Sequence, residues 1–433
     1  MLEYLHLQNV GPAPEMELEL ASRLNVITGD NGLGKSFLLD VVWWALTQTW
    51  AREMARPAKG LDEPRISFGF RKGQTHDVSF SWWSPVDQAW RHSGAMRSDQ
   101  PGVVLYAHVN GGFSTWDPAR NYWAPHGISV SSATGRQPSY VFEAHEVWDG
   151  LERDGISLCE GLVRDWASWQ KERGQAFEQL TKVLEGLSPS SHELLVPGGF
   201  ARLGFQARDI PTLRMPYGQD VPVLHASAGM RRIIALAYML VWTWQEHVKA
   251  SELIEQPPAR EITFLIDEIE AHLHPQWQRR VLRSLLGVMG ALTGTSDVHV
   301  QLVAVTHSPL ILVSAEPLFD REQDALFVLD LNRGSSTVRL EQRDFVRRGD
   351  PSLWLVSDTF GLRHFRSQEA AEVLDRAAVA LESESFGKEQ AEALEAELRG
   401  VLGDTDPFWV SWRYVGERKG WFSSATESAK GSP

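Results

Sequence analysis

At 433 residues, 43% of them hydrophobic, the chain can bury a large core as one elaborated domain or two lobes. A formal net charge of −14 argues against a surface that coats nucleic acid, and no apolar run approaches the roughly eighteen residues that a membrane helix needs. One cysteine, Cys159, excludes an internal disulfide and suits a reducing, cytoplasmic setting, while Met1 to Leu7 lack the basic-then-apolar pattern of a secretory leader.

Residues 1–28 read as strands of an antiparallel sheet, with Glu15 to Leu20 alternating polar and apolar. Arg23 to Thr28 is a short strand, and Ser36 to Val42 opens a helix. Between them lies GDNGLGKS, Gly29 to Ser36, a phosphate-cradling loop in its strand–turn–helix context. The glycines let the backbone N–H groups approach an anion at the helix start, where the macrodipole also favours negative charge. Lys35 then reaches the β- and γ-phosphates, and Ser36 ligates Mg²⁺. Gly29, Asn31, Gly32, Gly34, Lys35, Ser36 and Phe37 are the expected nucleotide contacts from this segment.

A hairpin follows, Arg65 to Phe70 and Asp77 to Trp82, with its turn at Lys72-Gly73. Residues 84–140, rich in Gly, Pro, Ser and Asn, read as loop-heavy. From about Tyr140 to Leu187 the pattern turns helical, with Leu158, Leu162, Trp166 and Trp169 at three- and four-residue spacing. Ser227 caps a helix running through Ile233 to about Glu246. Ile262 to Ile266 is the near-continuous apolar run of a central parallel strand, and it ends in Asp267 and Glu268. Two adjacent carboxylates there are costly without a cation, which points to Asp267 supporting Mg²⁺ and Glu268 activating water. Gln301 to Val305 is a second buried strand, ending in His307. Leu326 to Leu340 holds the last sheet strands around a turn near Arg333-Gly334, and Glu369–Leu381 and Lys388–Leu402 read as a helical hairpin.

In this order the parts resemble the ABC-type ATPase heads of the SMC, RecF and OLD group. Ser227-Ala228-Gly229-Met230 stands where that group carries its serine-glycine-glycine signature, Ile269 to Pro275 stands for the D-loop, and His307 stands for the switch histidine. The resemblance covers residues 1–50 and 221–315 and implies an α/β P-loop head with a mixed central sheet, an antiparallel edge sheet and a helical lobe. It implies ATP and Mg²⁺ as cofactors and a homodimer or higher oligomer in which two heads sandwich ATP. Ser227 and Gly229 of one head then cap the nucleotide held by Lys35 and Ser36 of the other, with Glu268 as base and His307 as γ-phosphate sensor. Ala228 and Met230 depart from the signature, which removes one glycine and the usual polar side chain at 230.

The run His225 to Arg232 and the phrase Asp406 to Trp412 look like the ATPase subunit of Septu anti-phage systems, implying a separately encoded nuclease as partner. The alternative is a DNA-tethering or repair ATPase without a nuclease. A built-in nuclease finds no convincing residues: Asp330-Leu331-Asn332 lacks a second acid, and Asp404-Thr405-Asp406 precedes Pro407 and reads as a turn. His272 and His274 lack companions for a metal site. Arg279, Arg280 and Arg283, and Arg343, Arg347 and Arg348, fit either a local DNA groove or solvated faces. The expected organisation is residues 1–140 with the phosphate loop and antiparallel sheet, a helical insertion at 141–220, the signature, carboxylates, D-loop and switch histidine at 221–330, and a C-terminal extension at 331–433.

Overall fold

The computed structural model describes residues 1–58, 63–72, 75–92, 101–120, 139–153, 155–204, 207–293, 298–332, 334 and 337–422. The chain divides into two units, Met1–Pro351 and Ser352–Pro433.

The first unit is organised by an eight-stranded mixed sheet. Its spatial order is Thr337–Arg343, Asp324–Asn332, Leu24–Gly29, His299–Val305, Glu261–Ile266, Val103–Ala107, Phe113–Trp116 and Tyr140–Phe142. The five strands from Asp324–Asn332 to Val103–Ala107 pair in parallel, and the outer three pair antiparallel. The central strands are buried almost throughout, which explains why they read as continuous apolar runs rather than alternating ones. Ile27 lies opposite Val305, and Ile266 opposite Ala304, so the carboxyl ends of three site-bearing strands come level on one edge.

A second, wholly antiparallel sheet contains Glu15–Glu19, Leu2–Gln8, Arg65–Lys72, Thr75–Ser84 and Ala89–His92, in that order. The helix Lys35–Thr47 packs against both sheets and shares one core with them. Trp43 on that helix is fully buried, and removing its ring from water contributes at most about 4–6 kcal/mol.

The expected hairpin is present, with Arg65 opposite Trp82 and Phe70 opposite Asp77; Gly73 of its turn lies outside the described residues. The loop-heavy reading of residues 84–140 needs correction. Val103–Ala107 is a buried strand in the sheet interior beside the carboxylate strand, and Phe113–Trp116 pairs with it. Its five residues are flanked by Gly- and Ser-rich sequence, so composition over a long window hides it. The stretches 93–100 and 121–138 lie outside the described residues.

Residues 141–220 are mixed rather than purely helical. Helices Ala144–Asp149, Leu162–Glu172 and Gln175–Gly186 alternate with the hairpin Leu151–Arg153/Ile156–Cys159 and a three-stranded sheet of Val196–Ala201, Ile210–Arg214 and Asp220–Pro222. Leu158 belongs to a strand, so the helical spacing begins only at Leu162. The signature helix spans Ala228–Leu253, longer than its apolar pattern indicates, and Ser227 Oγ accepts the Met230 N–H at 3.4 Å.

In the second unit, helices Gln368–Glu382, Lys388–Val401 and Phe408–Arg418 enclose Ala377, Leu398 and the fully buried Trp412. Asp406 pairs with Arg366 at 2.7 Å and accepts the Phe408 N–H at 2.9 Å, and the D-T-D run is a turn leading into the helix Phe408–Arg418, as its sequence indicates.

Candidate nucleotide site

The strand Leu24–Gly29 is buried at all six positions and delivers the phosphate loop to the sheet edge. Gly29 has φ 139°, and a Cβ there would lie 2.1 Å from the Leu329 carbonyl oxygen, so no other residue fits. Asp30, Asn31 and Gly32 are exposed beyond it. Lys35 opens the helix and is 5% exposed, and its Nζ donates to the carbonyls of Gly29 at 2.9 Å and Asp30 at 2.6 Å. Burial pushes its pKa down, while Asp30, Glu268, Asp267 and Glu270 hold it up. A cation folded back over its own loop at a helix start is an anion site. Phe37 points elsewhere: its ring lies against Gly11, where a Cβ would meet Cε1 at 2.4 Å, and it packs on the core shared by the two sheets.

Asp267 follows the carboxylate strand and is fully buried, with its backbone N–H donating to Ala107 O at 3.0 Å. Ser36 Oγ donates to Asp267 Oδ1 at 3.0 Å. Asp267 Oδ2 has no hydrogen-bond partner among the described residues, and Arg52 Nη1 stands 3.6 Å from it. Burial raises the Asp267 pKa, and the Ser36 bond and Arg52 charge oppose that rise. A hydroxyl oxygen beside a carboxylate with unused lone pairs is the oxygen donor set of a hard divalent cation, so these residues fit Mg²⁺.

Three residues to which the sequence assigns no role hold this arrangement. Arg52 reaches Asp40 through Nε at 2.9 Å and Nη2 at 3.0 Å, the Ser36 carbonyl at 3.2 Å and Tyr106 OH at 2.8 Å. Arg232, on the signature helix, donates from Nη2 to the carbonyls of Asp267 at 2.8 Å and Glu268 at 3.1 Å. Glu270 accepts the Thr306 hydroxyl at 2.7 Å and the His307 N–H at 2.6 Å, tying the D-loop to the switch strand. No local signal marks Arg52 or Glu270; only the R-R pair after the signature draws attention to Arg232.

Glu268 adopts φ 44°, left-handed for a non-glycine residue. His307 is half-buried; burial and the Lys35 charge push its pKa down, against Glu270, Glu268 and Asp267. Lys35, Asp267, Glu268 and His307 therefore share one electrostatic neighbourhood. Ser227 is exposed at the start of its helix, and among the described residues no hydrogen bond or ion pair joins it to that cluster. Gly229 is buried instead: a Cβ there would lie 2.5 Å from the His272 carbonyl oxygen of the same chain. His274 Nδ1 accepts the Gln276 N–H at 3.4 Å and caps the short helix Pro275–Gln278.

Phosphate loop, buried acid at a parallel strand end and signature helix together define a P-loop ATPase head of the ABC type. Residues 24–314 match the AAA_21 family, described as "AAA domain, putative AbiEii toxin, Type IV TA system", and the chain belongs to that family. It is similar to the Retron Vc95 probable ATPase of Vibrio cholerae serotype O1 biovar El Tor, 29% identical over 97 residues. That match spans 22% of this chain and 17% of that protein's length. Among solved structures, the SMC head domain from Thermotoga maritima aligns over 79% of this chain and 99% of its own, at 13% identity and TM-score 0.39. The RecF recombination mediator structure aligns over 76% and 95%, at 11% identity and TM-score 0.36. No helix among the described residues is long and apolar enough to cross a membrane.

Proposed function

We propose that the chain hydrolyses ATP as one of two heads that close on a pair of nucleotides in the cytoplasm, and that this cycle controls a separately encoded nuclease in anti-phage defence. One observation supports the chemistry above all: Ser36 Oγ and Asp267 Oδ1 meet at 3.0 Å beside the phosphate loop, while Asp267 Oδ2 accepts no hydrogen bond among the described residues and has only the Arg52 charge nearby, at 3.6 Å. Lys35, held at the loop mouth by two carbonyls, swings onto the phosphates and exchanges those neutral acceptors for anionic ones. Ser36 and Asp267 would hold Mg²⁺, which supplies Lewis-acid neutralisation of phosphate charge when bound. Glu268 takes the proton of the attacking water, and His307 contacts the γ-phosphate and helps hold that water. Phosphoryl transfer needs placement and charge more than covalent chemistry, so few side chains suffice.

The exposed Ser227, capping a helix N-terminus and making no hydrogen bond to its own chain's cluster among the described residues, supports its use on the nucleotide of a second copy. Gly229, buried on His272, serves in this reading as the small residue that lets the D-loop approach the helix start. Residues 1–140 and 221–351 build the catalytic lobe, 141–220 is the insertion before the signature helix, and the extension begins at Ser352 rather than at the expected 331, because Thr337–Arg343 completes the central sheet. The nuclease and the defence setting rest on the resemblance of His225–Arg232 and Asp406–Trp412 to Septu-type subunits.

The test is Glu268→Gln. ATP should still bind, a dimer should accumulate on ATP in the ultracentrifuge, and turnover should fall about 10²–10⁴-fold, the usual contribution of a general base. Turnover at the parental rate would remove Glu268 from its role. ATP binding without dimer formation would remove head closure and leave the ATPase standing.

A further inference from the structure

We infer that Arg232 is a positioning residue that locks the helix beginning at Ser227 to the turn carrying Asp267 and Glu268, so that both move as one piece. The inference rests on the ATPase reading above and assigns its internal coupling.

The geometry carries it. One guanidinium nitrogen of Arg232 donates to two consecutive carbonyls, Asp267 at 2.8 Å and Glu268 at 3.1 Å, and the other donates to Val109 at 3.1 Å. Consecutive carbonyls in an extended strand point to opposite sides, so a single donor reaches both only where the backbone kinks. The kink is present: Glu268 sits at φ 44°, a conformation that a non-glycine residue holds only when its surroundings impose it. Arg232 supplies that imposition with a rigid planar fork that no other side chain reproduces.

Arg232 is not part of an ordinary ion pair. Among the described residues, no carboxylate lies within salt-bridge distance of it, although Asp267, Glu268 and Glu270 all act on its charge from nearby. Its hydrogen bonds go to main-chain oxygens, so its effect is on backbone direction. The residue lies one helical turn into Ala228–Leu253, and a second contact ties the same helix start to the same turn region: Gly229 leaves no room for a Cβ against the His272 carbonyl. Two attachments a few residues apart make a rigid joint. Any displacement of Ser227 when it docks on a second copy's nucleotide therefore moves the backbone from which Asp267 and Glu268 project.

The experiment compares the full-length parent with Arg232→Met and Arg232→Lys. It measures nucleotide Kd, kcat, KM and amide hydrogen exchange across residues 267–272. For Arg232→Met, kcat should fall about 100-fold, the scale set by a misplacement near 1 Å, with Kd and KM within about twofold. Exchange in the turn should accelerate, and Arg232→Lys, which keeps the charge and loses the fork, should recover part of kcat. Parental kcat in Arg232→Met overturns the inference. So does equal loss of kcat, nucleotide binding and global stability, which marks a merely structural residue. If Arg232→Met does not fold, Arg232→Lys decides: about a tenfold kcat loss at unchanged KM supports the lock, and parental kcat removes it. A parent without ATP hydrolysis sinks the ATPase reading instead, an outcome read before any variant is compared.

Discussion

Ser36 and Asp267 lie 231 positions apart in sequence, yet the serine hydroxyl donates to the aspartate carboxylate at 3.0 Å. The bond exists because the phosphate-loop strand and the carboxylate strand flank the same neighbour, His299–Val305, in parallel register. Neither residue alone distinguishes a metal site from an N-terminal helix turn or a buried acid. Their meeting, with one carboxylate oxygen accepting no hydrogen bond, is what supports the proposed metal site.

Metal dependence tests that meeting directly. Asp267→Asn and Ser36→Ala should each raise the Mg²⁺ concentration for half-maximal ATP retention at least about tenfold. Asp267→Asn also removes a buried charge, so its metal-free unfolding midpoint should not fall. Unchanged Mg²⁺ dependence in both variants would exclude the pair as ligands.

Arg52 balances two acids, Asp40 and the fully buried Asp267. Arg52→Gln should cost about 3–5 kcal/mol in chemical denaturation, because it strands buried negative charge. Arg52→Lys should cost less, as the charge remains while the bonds shared among Asp40, Ser36 and Tyr106 do not. Denaturation curves that superimpose on the parent would show that the network contributes nothing.

The start of the signature helix gives a contrast between neighbours. Gly229→Ala drives a Cβ to 2.5 Å from the His272 oxygen and should destabilise by about 1–3 kcal/mol. Ala228→Ser, on the exposed position before it, should stay within about 0.5 kcal/mol. Equal effects at both positions would mean that the D-loop does not press on the helix.

A buried histidine and a half-buried aspartate give opposite pH signatures. Burial, then the Arg52 charge, push the His108 imidazole down from its ordinary 6.5 to about 3. Burial pushes the Asp165 carboxyl up from 3.8 to about 6, against the bond from Tyr238 OH. For His108 the unfolded chain takes the proton first, so stability falls as pH drops from 6.5, at about 1.4 kcal/mol per pH unit. For Asp165 the folded state takes it first, so stability rises by a similar slope as pH drops from about 6 toward 3.8. Urea denaturation at pH 6, 5 and 4, at roughly these spacings, should show His108→Gln gaining on the parent and Asp165→Asn losing. Variant and parent curves that stay parallel across this range would contradict both assignments.

Much of the chemistry was legible in order along the chain. The glycine spacing of Gly29 to Ser36 is a local pattern set by a loop with positive φ at three glycines, and the apolar run ending at Asp267 and the buried strand before His307 are local patterns of parallel strands covered on both faces. Val103–Ala107 escaped because five residues inside glycine- and serine-rich sequence carry no periodicity long enough to read. The uniform helical reading of 141–220 failed because side-chain spacing does not show where the chain turns back into short hairpins.

What only tertiary structure decided is the support behind the motif residues. Arg52 grips Asp40 at sequence distance 12 but Tyr106 at 54, and Arg232 clamps carbonyls 35 and 36 positions away. Main-chain carbonyls carry no residue identity, so no sequence pattern announces that a particular arginine will bind them. Gly229 shows the same limit: its sequence suggests a ligand contact, and the fold adds a neighbouring carbonyl that leaves room for hydrogen alone. Sequence marked the candidate groups, because phosphate, metal and water demand particular side chains. Their orientation was decided by packing between strands and helices far apart along the chain.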